Sequence, residues 1–276
     1  MRHQPLEGTI QFRGILGETV ADLGQRIVGG EWAPGSTIPR EADLVESLGV
    51  SRSVIREAIR ILGAKGLVRS RTSDGTRVLP HDHWRLLDPD VIGWRIRAGD
   101  RATLLLELLR VRSVIEPGVV WEATRSASPA ARERIRAAWA AKVAAFESPD
   151  PDLAIRRHVF VETDIEFHRA FLSAVDSPLL DQLFNVVEAA LKLLFELQIE
   201  ARGFDSGMVG LEDGHRLHAA VMEAWERGEC AEASAAMRQL LREAVRDAEA
   251  AMQRMPGSRS GGSPAGSRLR LSDKAS

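Results

Sequence analysis

The sequence predicts a mainly α fold: an N-terminal winged helix-turn-helix with a small β-hairpin wing, followed by a C-terminal all-α helical bundle. Three observations carry this. Between Gly35 and Val78, two amphipathic helical stretches meet at a Leu48-Gly49-Val50 corner, and two short β-prone runs follow around a turn. Beyond residue 100 apolar residues recur at helical spacing, with no convincing strand. Ser-Pro pairs at 128–129 and 177–178, with Gly228, mark helix junctions in that second stretch.

In chain order, residues 16–28 form the first expected helix. Leu16, Val20, Leu23 and Ile27 recur along it, and Gly29-Gly30 ends it. A short helix over 40–47 carries Leu44 and Val45 on one side. Gly49 supplies the backbone freedom the corner needs, and Ser51 stands where its hydroxyl can cap the next helix, 52–64. Val54, Ala58, Ile61 and Leu62 read as its buried stripe with Ile55 at the border, while Arg52, Arg56 and Arg60 lie one turn apart on another face. Strands around 67–69 and 76–78 flank a hairpin turn at Thr72-Ser73-Asp74-Gly75. Residues 81–100 read as a connector with a short helix at 91–96, its Trp84, Leu87, Ile92 and Trp94 suited to docking on a domain. Helices are expected at 101–126, 129–147, 152–174, 178–200, 210–227 and 230–254, with a kink or irregularity at Pro117. The resulting domains are 11–80, the connector, and 101–254. The Gly- and Ser-rich stretch 255–276 is expected to be disordered.

Composition excludes several classes. The 276 residues are 44% hydrophobic and 28% charged, as in an ordinary globular protein, and the net charge is −2. Cys230 is the only cysteine, so no intrachain disulfide can form. The start, MRHQPLEGTI, lacks a signal-peptide core, and Glu107 breaks the Leu104-Leu105-Leu106 run. A cytoplasmic protein is expected.

Charge is distributed unevenly. From Val50 to Val78, Arg52, Arg56, Arg60, Lys65, Arg69, Arg71 and Arg77 face only Glu57 and Asp74. Rows of arginine on helices are usually solvated faces, but a basic cluster confined to the second helix and wing is the footprint of nucleic-acid binding. Such a helix fits a major groove with its N-terminal residues at base edges. Arg52 and Arg56 could reach guanines or phosphates. In the bundle, Asp164 and His168 sit one turn apart on TDIEFHRAFL, and His215 and His218 one turn apart on a later helix. On spacing alone such pairs are more often surface or capping features, although together they could bind one divalent ion. Arg112 sits four residues before Glu116, where an intrahelical ion pair is the plain reading. Asn185 lies in an apolar helix, where an asparagine is more often a satisfied core amide than a pocket group.

The runs PGSTIPREADL, GVSRSVIREAIRIL, KGLV and GTRV resemble the N-terminal domain of GntR-type bacterial transcription regulators. That resemblance implies operator contacts from Ser51, Arg52, Ser53 and Arg56 and from the wing between Thr72 and Gly75. Ala42 stands where some relatives carry arginine, and Arg40 is the nearest basic group. ELLRVRSVIEP, TDIEFHRAFL and HAAVMEAWERGECAEASAAM are similar to the helical FCD effector domain of the FadR branch, many members of which bind a metal through one Asp and three His. Asp164, His168 and His218 match three of those ligands, and Leu240 takes the fourth position. The resemblance thus implies a divalent metal ion such as zinc held by three protein ligands, His215 as substitute ligand or effector contact, or a metal-free site in which these residues meet the effector directly. It also implies that Arg112, with Asn185 as a further pocket group, meets an effector's carboxylate. WRLLDPDVIGW resembles the DgoR-like regulators of D-galactonate and related sugar acids. The expected function is therefore a homodimeric, operator-binding repressor released by a sugar acid, and not an enzyme. Another carboxylate, an acyl-CoA or the metal itself is the alternative signal. A metal-dependent hydrolase or lyase fused to a DNA-binding domain is the remote alternative.

Overall fold

The computed structural model describes residues 14–71, 74–149, 152–202 and 211–254. Three helices open it: α1 (Ile15–Val28), α2 (Glu41–Leu48) and α3 (Arg52–Ala64). Gly49, at φ 65°, ends α2 in the left-handed conformation that side chains resist. Ser51 then caps α3, its Oγ accepting the Val54 N–H at 3.4 Å. Antiparallel β1 (Val68–Arg71) and β2 (Gly75–Val78) form the wing, in the register Val68↔Val78, Arg69↔Arg77 and Arg71↔Gly75. The hairpin turn expected at 72–75 falls partly outside the described residues, since Thr72 and Ser73 are not among them.

The buried face of α3 differs from the expected stripe. Ile55, Ala58, Ile59, Ile61 and Leu62 are buried, and Val54 is only half-buried. The arc 55, 58, 59, 62 follows the i, i+3, i+4, i+7 line, which α1 covers along with Leu23 and Ile27. Val54, in the first turn, lies at the edge of that line.

After a short 3-10 turn at His81–His83, α4 (Pro89–Arg97) joins the two parts of the molecule. Asp88 caps it, accepting the Asp90 N–H at 2.9 Å, and Pro89 fits the first helical position. Its Val91 and Trp94 belong to the core around α1 and α3, whereas Ile92 belongs to a cluster with Leu104, Leu105, Leu108 and Leu109. Lys65 Nζ reaches Asp88 and Asp90, each at 2.8 Å, from the end of α3. The connector therefore packs on both sides, but Leu87 is 52% exposed and takes no part.

Six helices complete the chain: α5 (Arg101–Ser126), α6 (Pro129–Glu147), α7 (Leu153–Ser173), α8 (Pro178–Arg202), α9 (Leu211–Glu226) and α10 (Cys230–Arg254). They match the sequence reading to within two residues at each end. Ser128 caps α6 by accepting the Ala131 N–H at 3.2 Å, and Gly228, at φ 75°, turns the chain between α9 and α10. α5 runs on through Pro117 as one helix. The core of this part gathers Val120, Ile135, Phe167, Phe171, Val221, Trp225 and Met237. No helix among the described residues is long and apolar enough to cross a membrane. The tail expected to be disordered from 255 onward lies outside the described residues.

Candidate functional site

Two surfaces carry chemistry. The first is the outer face of α3 with the wing. Ser51, Arg52, Ser53 and Arg56 are all exposed at its N-terminal end, and the Ser51 and Ser53 hydroxyls lie 2.8 Å apart. Arg56 donates through Nε to Glu41 of α2 at 2.8 Å. Arg40 is exposed at the start of α2, where its backbone N–H donates to Asp43 at 3.2 Å. In the wing, Gly75 opens β2 at φ 73°; Thr72 is outside the described residues.

The wing adds residues that sequence reading counted only as charge. Arg69 and Arg77 are directly opposed across the strands, and Arg71 shares their face by strand alternation. Like charges placed opposite each other destabilise a hairpin, so this arrangement gains from an anionic partner. The alternation Arg69-x-Arg71 was the clue in the sequence.

The second surface is a cavity of about 440 Å³ among α5, α7, α8, α9 and α10. Arg112, Asp164, His168 and His218 reach its wall, together with Gln239 and Leu240. An apolar side is built from Phe160, Leu191, Leu194 and Phe195. Helical spacing brings Asp164 and His168 to one face of α7, while α5 and α9 deliver Arg112 and His218. His215 is not part of the wall. Its ring is stacked between Trp139 and Phe146, with centroids 5.2 and 4.2 Å away. Asn185 lies on α8, and its side chain is outside the described set.

Within the cavity every charge is paired. Arg112 donates to Glu116 at 2.5 Å through Nε and to the His168 Nε2 lone pair at 3.1 Å through Nη2. His168 Nδ1 lies 2.7 Å from Glu116 Oε2. Burial would raise the Glu116 carboxyl, but the Arg112 charge and the hydrogen bonds from His168 and Arg112 outweigh it and hold it at about 2. Lys142 of α6, fully buried, donates to Asp164 Oδ1. Burial likewise pushes Asp164 up, and the Lys142 charge more than reverses this, leaving it well below the usual carboxylate range. His218 donates through Nδ1 to the Gly214 carbonyl at 2.6 Å, which leaves its Nε2 with the lone pair. Burial first and the Lys142 charge second lower this imidazole to about 4.

Asp164, His168 and His218 each offer a donor atom, all within 4.8 Å of one another, and could together hold a metal ion. The donor set fits such an ion. His218 Nε2 is buried without a hydrogen bond, 3.1 Å from Asp164 Oδ1. Both histidines are oriented by an acceptor at Nδ1, as metal-binding imidazoles are. Leu240, where the resemblance expects a fourth ligand, lines the cavity without a donor. Sequence reading missed Lys142 and gave Glu116 only its helical pairing. A lysine on an otherwise apolar stripe, between Ala138 and Ala145, was the available clue.

The profile of "Bacterial regulatory proteins, gntR family" matches residues 17–78, and that of the FCD domain matches residues 107–243. The chain is 33% identical over 181 residues to the galactonate operon transcriptional repressor of Escherichia coli, covering 64% of this chain and 74% of that one. It is 30% identical to the transcriptional regulator LutR of Bacillus subtilis, over 76% of this chain and 90% of that one. Among solved structures, that of Lar, which controls expression of the Listeria monocytogenes agr system, superposes with a TM-score of 0.54 at 15% identity. It covers 87% of this chain and 98% of its own, a likeness of fold.

Proposed function

This chain belongs to the GntR family of bacterial transcription regulators, in the FadR branch that carries an FCD domain, and on that premise we propose that it represses sugar-acid catabolic genes until an aldonate fills the helical cavity. Regulators of this family bind operator DNA and are not enzymes. The observation that carries the reading is the cavity itself: a buried guanidinium and two oriented imidazoles beside one another, in a chain akin to a galactonate operon repressor.

A hydroxy-carboxylate suits this wall. Arg112 meets the carboxylate in competition with Glu116, and His168, His218 and Gln239 meet the hydroxyls, with Asn185 of α8 kept as a candidate on the resemblance alone. A divalent ion such as zinc, when bound by Asp164, His168 and His218, supplies a Lewis-acidic position for the carboxylate and its neighbouring hydroxyl. The protein acts as a homodimer, so that two copies of α3 meet a two-fold operator, contacted by Arg40, Ser51, Arg52, Ser53, Arg56, Thr72 and Gly75. Effector binding favours a geometry in which the two helices no longer match the half-sites. Hundredfold release requires about 2.7 kcal/mol of preference for that state.

The test is fluorescence anisotropy on the upstream region of the chain's own gene, with D-galactonate and related aldonates titrated in. Release by one aldonate supports the reading, and tight binding indifferent to all of them refutes the sugar-acid assignment. The apolar side at Phe160, Leu191, Leu194 and Phe195 favours one alternative, a carboxylate with an acyl body, and acyl-CoA is the second titrant.

A further inference from the structure

Lys142 is used by none of the chemistry above. It comes from α6, outside the helices that carry the candidate ligands, and its side chain is 0% exposed. Its ammonium has Asp164 Oδ1 on one side and the Phe160 ring, centroid at 4.3 Å, on another. The oxygen it contacts is the one that faces the unpartnered Nε2 of His218 at 3.1 Å. Asp164 Oδ2, the remaining oxygen, is 3.9 Å from His168 Nε2. The carboxylate of the triad therefore already has a cation bonded to it, delivered from behind the cavity wall.

We propose that Lys142 is the built-in competitor of the metal site: its ammonium holds the Asp164 oxygen that a divalent ion needs, so an ion is retained only by displacing it. Two further features of this chain act in the same direction. Leu240 removes a donor that could offset the cost of displacing the lysine, and the Arg112 guanidinium engages the His168 lone pair at 3.1 Å. Charge balance inside the site also favours the lysine. Lys142 and Arg112 match Asp164 and Glu116 one for one, and a divalent ion adds two uncompensated charges in a buried place. The three ligands are thus a complete coordination face whose affinity is set by a fourth residue that is not a ligand. This inference stands on the triad and is independent of which effector the cavity takes.

The experiment is a competition titration of the full chain with Zn²⁺ and Mn²⁺ against a chromophoric chelator, run on wild type and on Lys142→Met. The variant is expected to bind metal at least about tenfold more tightly. Lys142→Arg, which keeps a charge of similar reach, is expected to stay close to wild type. Arg216→Met removes an equal charge from the cavity mouth and controls for general repulsion; it is expected to change affinity less than threefold, roughly. A thermal melt provides a second readout. Lys142→Met leaves Asp164 buried without its counter-charge, so metal should raise its melting temperature more than that of wild type. Unchanged or weaker binding in Lys142→Met overturns the proposal, as does an equal gain in Arg216→Met. If Lys142→Met does not fold alone, Lys142→Gln replaces it, and failure of metal to stabilise that variant more than wild type is equally decisive against the idea.

Discussion

Replacing Arg112 by methionine should cost far more than the loss of one surface ion pair. Arg112 and Glu116 are each 1% exposed, so the variant strands a carboxylate in the interior. Breaking such a buried pair costs about 3–5 kcal/mol, against less than about 1 kcal/mol for an exposed one. The lower end of that range is expected here, because His168 Nδ1 remains 2.7 Å from Glu116. Glu116 is held at about 2 in the folded chain against an ordinary value of 4.5. Its pairing therefore contributes fully above pH 4.5 and is lost as pH falls through about 2; a shift of that size corresponds to about 3 kcal/mol. The assay is urea unfolding at pH 7 of wild type, Arg112→Met, Glu116→Gln and the double variant. The double variant should recover much of the loss, with a coupling of about 2 kcal/mol or more, since no charge is then stranded. The acid-induced loss between pH 4.5 and 2.5 should shrink in Glu116→Gln. An Arg112→Met protein within about 1 kcal/mol of wild type, or strictly additive effects, would refute the reasoning.

Other outcomes follow from the fold and the DNA-reading surface. A Cβ on Gly24 would sit 2.7 Å from three ring atoms of Trp94, which is 2% exposed and cannot swing away, so Gly24→Ala should destabilise by about 1–2 kcal/mol despite its helix-propensity gain. Gly63→Ala, whose nearest neighbour would be the Val68 carbonyl at 3.5 Å, should instead stabilise by up to about 1 kcal/mol; equal melting temperatures for the two would contradict the close α1–α4 approach. Arg56→Ala should abolish specific operator binding without unfolding the chain, since Arg56 is exposed and its ion pair with Glu41 lies at the surface; a normal operator shift would remove α3 as the reading helix. Arg69→Ala should weaken binding to all sequences alike and lower the salt slope by about 1, with no loss of wing stability, because it relieves the opposition to Arg77.

The DNA-reading half was legible because its information is local. The corner glycine, the Ser51 cap, the periodicity of α1 to α3 and the basic cluster all lie within a few residues of the structure they specify. The error at Val54 arose there because α3 carries apolar residues on more than one line, and only the position of α1 chooses between them. Helix ends in the second half were equally readable, since Ser-Pro and glycine mark them wherever the helices pack. The triad was half legible: one helical turn places Asp164 beside His168, but nothing local brings His218 to them or leaves its Nε2 bare. Tertiary packing alone decided three further points. It stacked His215 between Trp139 and Phe146, away from the cavity wall. It closed Arg112, Glu116 and His168 into one buried network. It also carried Lys142 from α6 onto Asp164. Sequence periodicity states which face of a helix is buried, and only the crossing of helices distant in sequence states what that face meets. A lysine in an apolar stripe reads as an exception until the carboxylate that neutralises it arrives from another helix.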